Sequence, residues 1–222
     1  MVNRALNKRI TLFCGHYGSG KTNIAVNFAI AKSKAGENVS IADIDIVNPY
    51  FRTKDSTVEL ERAGVSVVAL PFANTSVDLP AIPSEVMGLL RRRDTFVVMD
   101  VGGDDRGAVA LGRYAPTILA EANYDMVFVV NFYRPLTRSA KDALEIMREI
   151  EAACKIPFTA IINNSNIGEE TRAEDVLKTI PLAEALSDIS GLPLVATTAN
   201  EKLCENEELK AVVGLKLQEK LF

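Results

Sequence analysis

Short runs of Val, Ile, Leu and Phe recur along the chain, each separated from the next by a longer stretch of mixed apolar and polar residues. The runs Ile10 to Cys14, Val39 to Ala42, Val65 to Leu70, Phe96 to Met99, Met126 to Val130, Phe158 to Ile162 and Leu194 to Ala196 predict strands. Most are nearly continuous in apolar residues, as strands covered on both faces are. Helical patterns lie at Lys21 to Ala35, Ser84 to Arg93, Gly107 to Ala122, Thr137 to Ala153, Thr171 to Ile189 and Glu205 to Leu221. Gly36 and Pro135 punctuate helix ends as expected. This alternation predicts β-α-β crossovers in an α/β fold, with a mainly parallel sheet of about seven strands and helices on both faces. No repeat, low-complexity tract or linker interrupts it, so residues 1–222 are expected to form one domain. Sheets of this kind bind ligands at the carboxyl ends of their strands.

The first such end carries the strongest chemical signal. Gly15-His16-Tyr17-Gly18-Ser19-Gly20-Lys21-Thr22 matches G-x-x-x-x-G-K-[ST], follows a predicted strand and opens a predicted helix. Glycines let the backbone curl with its N–H groups facing inward, a concave nest for phosphate oxygens. The helix N-terminus adds partial positive charge at the same point. Lys21 is expected to neutralise the β- and γ-phosphates and Thr22 to offer its hydroxyl to Mg²⁺. Asn23 extends the expected nucleotide-binding set beyond the loop.

Carboxylates must hold the metal and the attacking water, and two strand ends supply them. Phe96-Val97-Val98-Met99-Asp100 is an apolar strand ending in Asp, and it continues through Val101 and Gly102 to Gly103 as D-x-x-G. Asp100 is expected to bind Mg²⁺ directly or through water, and the Gly103 amide to sense the γ-phosphate. The second strand ends in Asp43-Ile44-Asp45, whose period-2 spacing puts both carboxylates on one face if the strand continues that far. One division of labour places Asp45 toward the metal or water, with Asp43 supporting it. The expected catalytic set is therefore Lys21, Asp45 and Asp100, and the metal set Thr22, Asp45 and Asp100.

Composition narrows the setting. The chain is 48% hydrophobic and 24% charged, with a formal net charge of −4, which argues against a nucleic-acid surface spread over the molecule. Arg91, Arg92 and Arg93 form a dense basic run that reads as a solvated helix end. Cys14, Cys154 and Cys204 lie far apart without a CxxC pair, which suits a reducing compartment and offers no iron–sulfur ligand set. Neither a signal peptide nor an apolar run long enough to span a membrane is visible, so a cytoplasmic protein is expected. The tail from Leu209 to Phe222 can be drawn as an amphipathic helix, but it lacks a strong cationic face and is expected to pack on the sheet.

The order of phosphate-binding loop, D-x-D after the second strand and D-x-x-G resembles the MinD/ParA-like P-loop ATPases. That resemblance implies a three-layer α/β/α P-loop fold that binds ATP with Mg²⁺ and releases ADP. It implies Asp45 in a first switch positioning water, Asp100 on the Mg²⁺ side and Gly103 in a second switch. It also implies an adenine-reading Asn at the end of Ile161-Ile162-Asn163-Asn164-Ser165, where Asn164 fits best and Asn163 next. The stretch Ala196 to Asn200 falls where such proteins contact the base or ribose. The chain departs from the family at His16 and Tyr17, which stand where a signature lysine and a glycine are usual. His16 is one substitute for that charge; Arg52 and Arg134 are further candidate cations.

The guanine-reading N-K-x-D motif is missing, which favours ATP over GTP. The expected activity is ATP hydrolysis by a nucleotide-dependent switch that reports to a protein partner, with a homodimer as one form of it. A small-molecule kinase or ATP-dependent amide-forming enzyme, and a non-hydrolysing assembly module, are the competing readings. The aromatic segment Asn48-Pro49-Tyr50-Phe51-Arg52 either lines a partner or substrate surface or buries Phe51 in the core.

Overall fold

The computed structural model describes residues 5–44, 56–69, 84–103 and 105–217. Asp45 and the segment Asn48 to Arg52, for which roles are expected, lie outside the described residues, as does the end of the tail from residue 218.

Eight strands line up among the described residues: β1 (Ile10–Cys14), β2 (Val39–Ile44), β3 (Ser66–Ala69), β4 (Phe96–Val101), β5 (Tyr124–Val130), β6 (Ala160–Asn163), β7 (Leu194–Asn200) and β8 (Val213–Leu215). Their order is β3-β2-β4-β1-β5-β6-β7-β8, and every neighbouring pair is parallel. Helices α1 (Lys21–Lys34), α2 (Thr57–Arg62), α3 (Ser84–Arg91), α4 (Asp105–Gly112), α5 (Ala115–Glu121), α6 (Ala140–Cys154) and α7 (Ala173–Ser190) connect them. This is the expected three-layer α/β/α arrangement. Every residue of β1 and β4 is buried, because a parallel sheet is covered on both faces. Alternate residues feed two cores: Ile10, Leu12 and Cys14 enter one, and Phe13 enters the other with Ile24 and Phe28 of α1.

Two expectations are corrected. The helix expected from Glu205 to Leu221 is not formed over its described part. Short 3₁₀ turns at Leu203–Glu205 and Glu207–Leu209 lead instead into β8. The strand wins because β7 would otherwise leave its edge unpaired: β8 lays Val213, Gly214 and Leu215 beside Thr198, Ala199 and Asn200. Asn27 of α1 then grips the next residue, donating to the Lys216 carbonyl at 2.9 Å and accepting from its N–H at 3.0 Å. The second correction divides the helix expected over Gly107 to Ala122 into α4 and α5. Pro116 stands in the first turn of α5, where its missing N–H costs nothing, so a new helix starts there. Helix α2 has no counterpart in the expected elements. No helix of the described residues is long and apolar enough to cross a membrane.

The amino edge of the sheet is tied by one charged junction. Arg9, just before β1, pairs with Glu121 at the end of α5 and donates to the carbonyls of Leu90 and Arg92 at 2.8 Å and of Thr95 at 3.1 Å. Arg93 reaches the same carboxylate at 3.0 Å, and the Glu121 side chain is only 3% exposed. The hydrogen bond from Arg9 holds the Glu121 carboxyl below its ordinary range against the opposing pull of burial. A depressed carboxyl stabilises the fold above its unfolded pKa of about 4.3, and that stability is lost as pH falls through the lower folded value. Glu121→Gln should lower the unfolding free energy by about 3 kcal/mol at pH 7. Urea titrations of both proteins should show the difference shrinking below about pH 4.

Candidate functional site

β1 stands at the point where the chain changes direction across the sheet. From β1 the connection runs past β4 to β2, and from β4 it crosses back over β1 to β5. At that switch point the carboxyl ends of neighbouring strands open a crevice, and the residues from Gly15 to Thr22 occupy it. Gly18 and Gly20 adopt φ of +76° and +84°, the left-handed conformation that turns a loop back on itself and that L side chains resist. Between them the Ser19 N–H donates to the His16 carbonyl at 3.1 Å. Gly20 is the N-cap of α1 with no side-chain cap, and no acidic residue occupies the first turn. The positive end of α1 therefore faces the loop with no acidic residue of its own first turn to offset it.

Lys21 is buried at 6% exposure, whereas Thr22 and Asn23 are half-buried. The Ser19 hydroxyl is buried with no hydrogen-bond partner among the described residues. His16 is half-buried with its Nδ1 3.2 Å from the Tyr17 carbonyl, and Tyr17 projects into solvent at 60% exposure. Cys14, the last residue of β1, is fully buried, and burial pushes its thiol well above the ordinary range. Cys154 and Asp100 add to that rise and Lys21 opposes it, so Cys14 is a neutral core side chain.

The acidic side of the crevice follows from strand register. Asp43 of β2 and Asp100 of β4 are cross-strand partners, and Asp100 is also paired in register with Phe13 of β1. Both aspartates are buried, Asp100 completely. Gly103 brings the D-x-x-G segment onto the loop: a Cβ there would lie 2.7 Å from the Gly15 carbonyl oxygen and 2.8 Å from the Tyr17 nitrogen. Only a glycine permits that backbone-on-backbone approach.

The opposite wall is polar and already hydrogen-bonded. Asn164, after β6, donates Nδ2 to the Ser19 carbonyl at 2.7 Å and accepts at Oδ1 from the Thr198 hydroxyl at 2.7 Å. Asn163 donates to Thr179 Oγ1 at 3.0 Å and accepts from the Ser165 hydroxyl at 2.6 Å and the Ser165 N–H at 3.2 Å. Both amides expected at the base therefore have partners inside the protein. Asn131 and Arg134, after β5, reach the Gly18 carbonyl with Nδ2 at 3.5 Å and Nε at 2.9 Å. The structure thus gathers the loop, Asp43, Asp100, Gly103, Asn163 and Asn164 at one edge. Sequence reasoning did not find the tether from Thr198 through Asn164 to the loop. Its only sequence signal is polar residues ending three otherwise apolar strands.

Fold and loop together define a P-loop NTPase architecture, as expected. No family model matches the sequence, and no curated protein does either. Among solved structures, the signal recognition particle receptor FtsY from Elizabethkingia anophelis, in complex with GDP, shares the fold with a TM-score of 0.54 and 19% identity over 87% of this chain and 57% of that one. The 54 kDa signal recognition particle protein from Aeropyrum pernix K1, also with GDP, gives 0.54 and 16% over 85% and 40%. FlhF complexed with GTP/Mg²⁺ gives 0.57 and 12% over 90% and 69%. The chain spans 57% and 40% of the lengths of the first two, so each match covers one part of a longer protein. These neighbours establish the P-loop fold and not membership of the MinD/ParA-like group.

Removing the Asn164 amide takes the side-chain donor from the buried Ser19 carbonyl and leaves the Thr198 hydroxyl only its longer bond, 3.3 Å, to the Asn163 carbonyl. Asn164→Ala should lower the stability of the nucleotide-free protein by about 2 kcal/mol, measured by urea denaturation. Thr198→Val should cost about half as much.

Proposed function

We propose that this chain, as one nucleotide-binding domain over residues 1–222, is an ATP–Mg²⁺-dependent switch that hydrolyses ATP and reports the state of the γ-phosphate to a protein partner. One observation carries the reading: a loop with two left-handed glycines delivers buried Lys21 and the uncapped start of α1 to the same edge as Asp43 and Asp100. The loop amides and Lys21 bind and orient the phosphate tail, with Gly15 to Thr22 and Asn23 forming the nucleotide contact surface. Thr22 and Asp100 would hold Mg²⁺, and Asp45 would orient the attacking water. Among the described residues no group of three or more His, Cys, Asp or Glu side chains forms a metal site alone. When bound, the ion neutralises charge across the phosphates.

The D-x-x-G segment is the element that would respond. Gly103 already lies against the loop backbone, so a γ-phosphate bound there meets the second acidic segment directly. Adenine is assigned because neither Asn163 nor Asn164 is followed by the aspartate of the N-K-x-D motif. GTP is the second reading, supported by neighbours whose structures were solved with GDP and with GTP/Mg²⁺. A homodimer is part of the proposal, as the MinD/ParA-like resemblance suggests.

Calorimetry with ATP and with GTP in the presence of Mg²⁺ tests the assignment. Lys21→Ala should abolish binding, and unchanged binding would sink the role of the loop. Asp45→Ala should leave affinity within about threefold while slowing turnover by about a hundredfold or more in a phosphate-release assay. Light-scattering mass with ADP and with a non-hydrolysable ATP analogue should differ if two copies close on the triphosphate.

A further inference from the structure

We propose that Arg134 is a positioning residue that braces the phosphate-binding loop through the Gly18 carbonyl and thereby sets how long a bound nucleotide stays. The inference rests on the nucleotide-binding reading of the loop and assigns it a residue outside the motif. A loop that turns its amides toward an anion must point carbonyls the other way, and those carbonyls need donors if the curl is to persist empty. The Gly18–Ser19 peptide is held at both ends. Its N–H donates to the His16 carbonyl at 3.1 Å, and its oxygen accepts from Arg134 Nε at 2.9 Å.

Gly18 makes that grip possible in two ways. Its φ of +76° sets the turn, and its missing side chain leaves room for the arginine. A Cβ at Gly18 would lie 2.9 Å from Arg134 Nε, 3.0 Å from Cζ and 3.4 Å from Cδ. The guanidinium therefore rests on the face of the loop where a side chain would stand. Asn131 Nδ2 supports the same oxygen at the longer distance of 3.5 Å.

The arginine is mounted on a fixed segment. Arg134 N–H donates to the Asn131 carbonyl at 3.1 Å, and the Thr137 N–H returns to the Arg134 carbonyl at 3.1 Å. The Thr137 hydroxyl caps the Asn131 carbonyl at 2.6 Å. Phe132 N–H donates to Ser165 Oγ at 2.9 Å, and the Tyr133 hydroxyl reaches the Asp175 carbonyl on α7 at 2.9 Å. Little freedom remains for the backbone to lose when Arg134 meets the loop, which is what makes a brace effective. Arg134 itself is exposed, so its bond adds little to global stability and acts locally on the loop.

Three variants and two measurements test this. Release of a fluorescent adenine or guanine diphosphate, whichever the wild type binds, should be about tenfold faster from Arg134→Ala, a change worth about 1.4 kcal/mol. Arg138→Ala, which removes an equal charge from the same segment, should release nucleotide at the wild-type rate. Arg134→Lys should stay closer to alanine than to wild type, because an ammonium lacks the planar Nε donor. In nucleotide-free protein, hydrogen exchange of the amides of residues 16–20 should be faster in Arg134→Ala, with an unchanged melting temperature. Unchanged release or unchanged loop exchange would overturn the brace. So would an equal effect in Arg138→Ala, full rescue by lysine, or a melting temperature lowered by several degrees. Failure of the wild type to bind any nucleotide would instead defeat the functional reading, while the exchange measurement would still decide whether Arg134 holds the loop.

Discussion

A polypeptide cannot bind an anion with its amides without turning the matching carbonyls away from it. Between residues 15 and 22 this chain bends so tightly that two glycines adopt left-handed conformations, and the carbonyls of Gly18 and Ser19 face the protein. Both need donors, and losing the buried bond at Ser19 costs more than losing the exposed one at Gly18. The ends of the neighbouring strands provide them: Asn131 and Arg134 after β5 for Gly18, and Asn164 after β6 for Ser19. Thr198 of β7 then fixes which way the Asn164 amide points, since its hydroxyl occupies Oδ1 and leaves Nδ2 for the loop. The shape of this loop is therefore a property of four strands at once.

Parallel strands are what bring those ends together. In a parallel sheet every carboxyl terminus emerges at one edge, so polar residues ending separate apolar strands become neighbours. The same geometry sets Asp43 beside Asp100, two buried aspartates on neighbouring strands. Gly103 completes the assembly by packing backbone on backbone against Gly15 and Tyr17, so displacement of either segment is felt by the other. At the far edge, the Arg9–Glu121 junction ties β1 to the ends of α3 and α5, away from the crevice.

The sequence by itself determined the α/β alternation, seven of the eight strands and the place of the glycine-rich loop between β1 and α1. These depend on local signals: continuous apolar runs, helical periodicity, and a glycine–lysine–threonine spacing that few other structures require. Tertiary structure decided β8, whose residues carry a pattern that also fits a helix. A strand formed because the open edge of β7 and the side-chain amide of Asn27 offered its backbone partners. It also decided where Asn163 and Asn164 spend their amides and where Arg134 rests. Thr198 and Asn164 are 34 residues apart, and Arg134 and Gly18 are 116 apart. No local pattern encodes such partners, because a hydrogen bond depends on where two backbones meet once the sheet has closed.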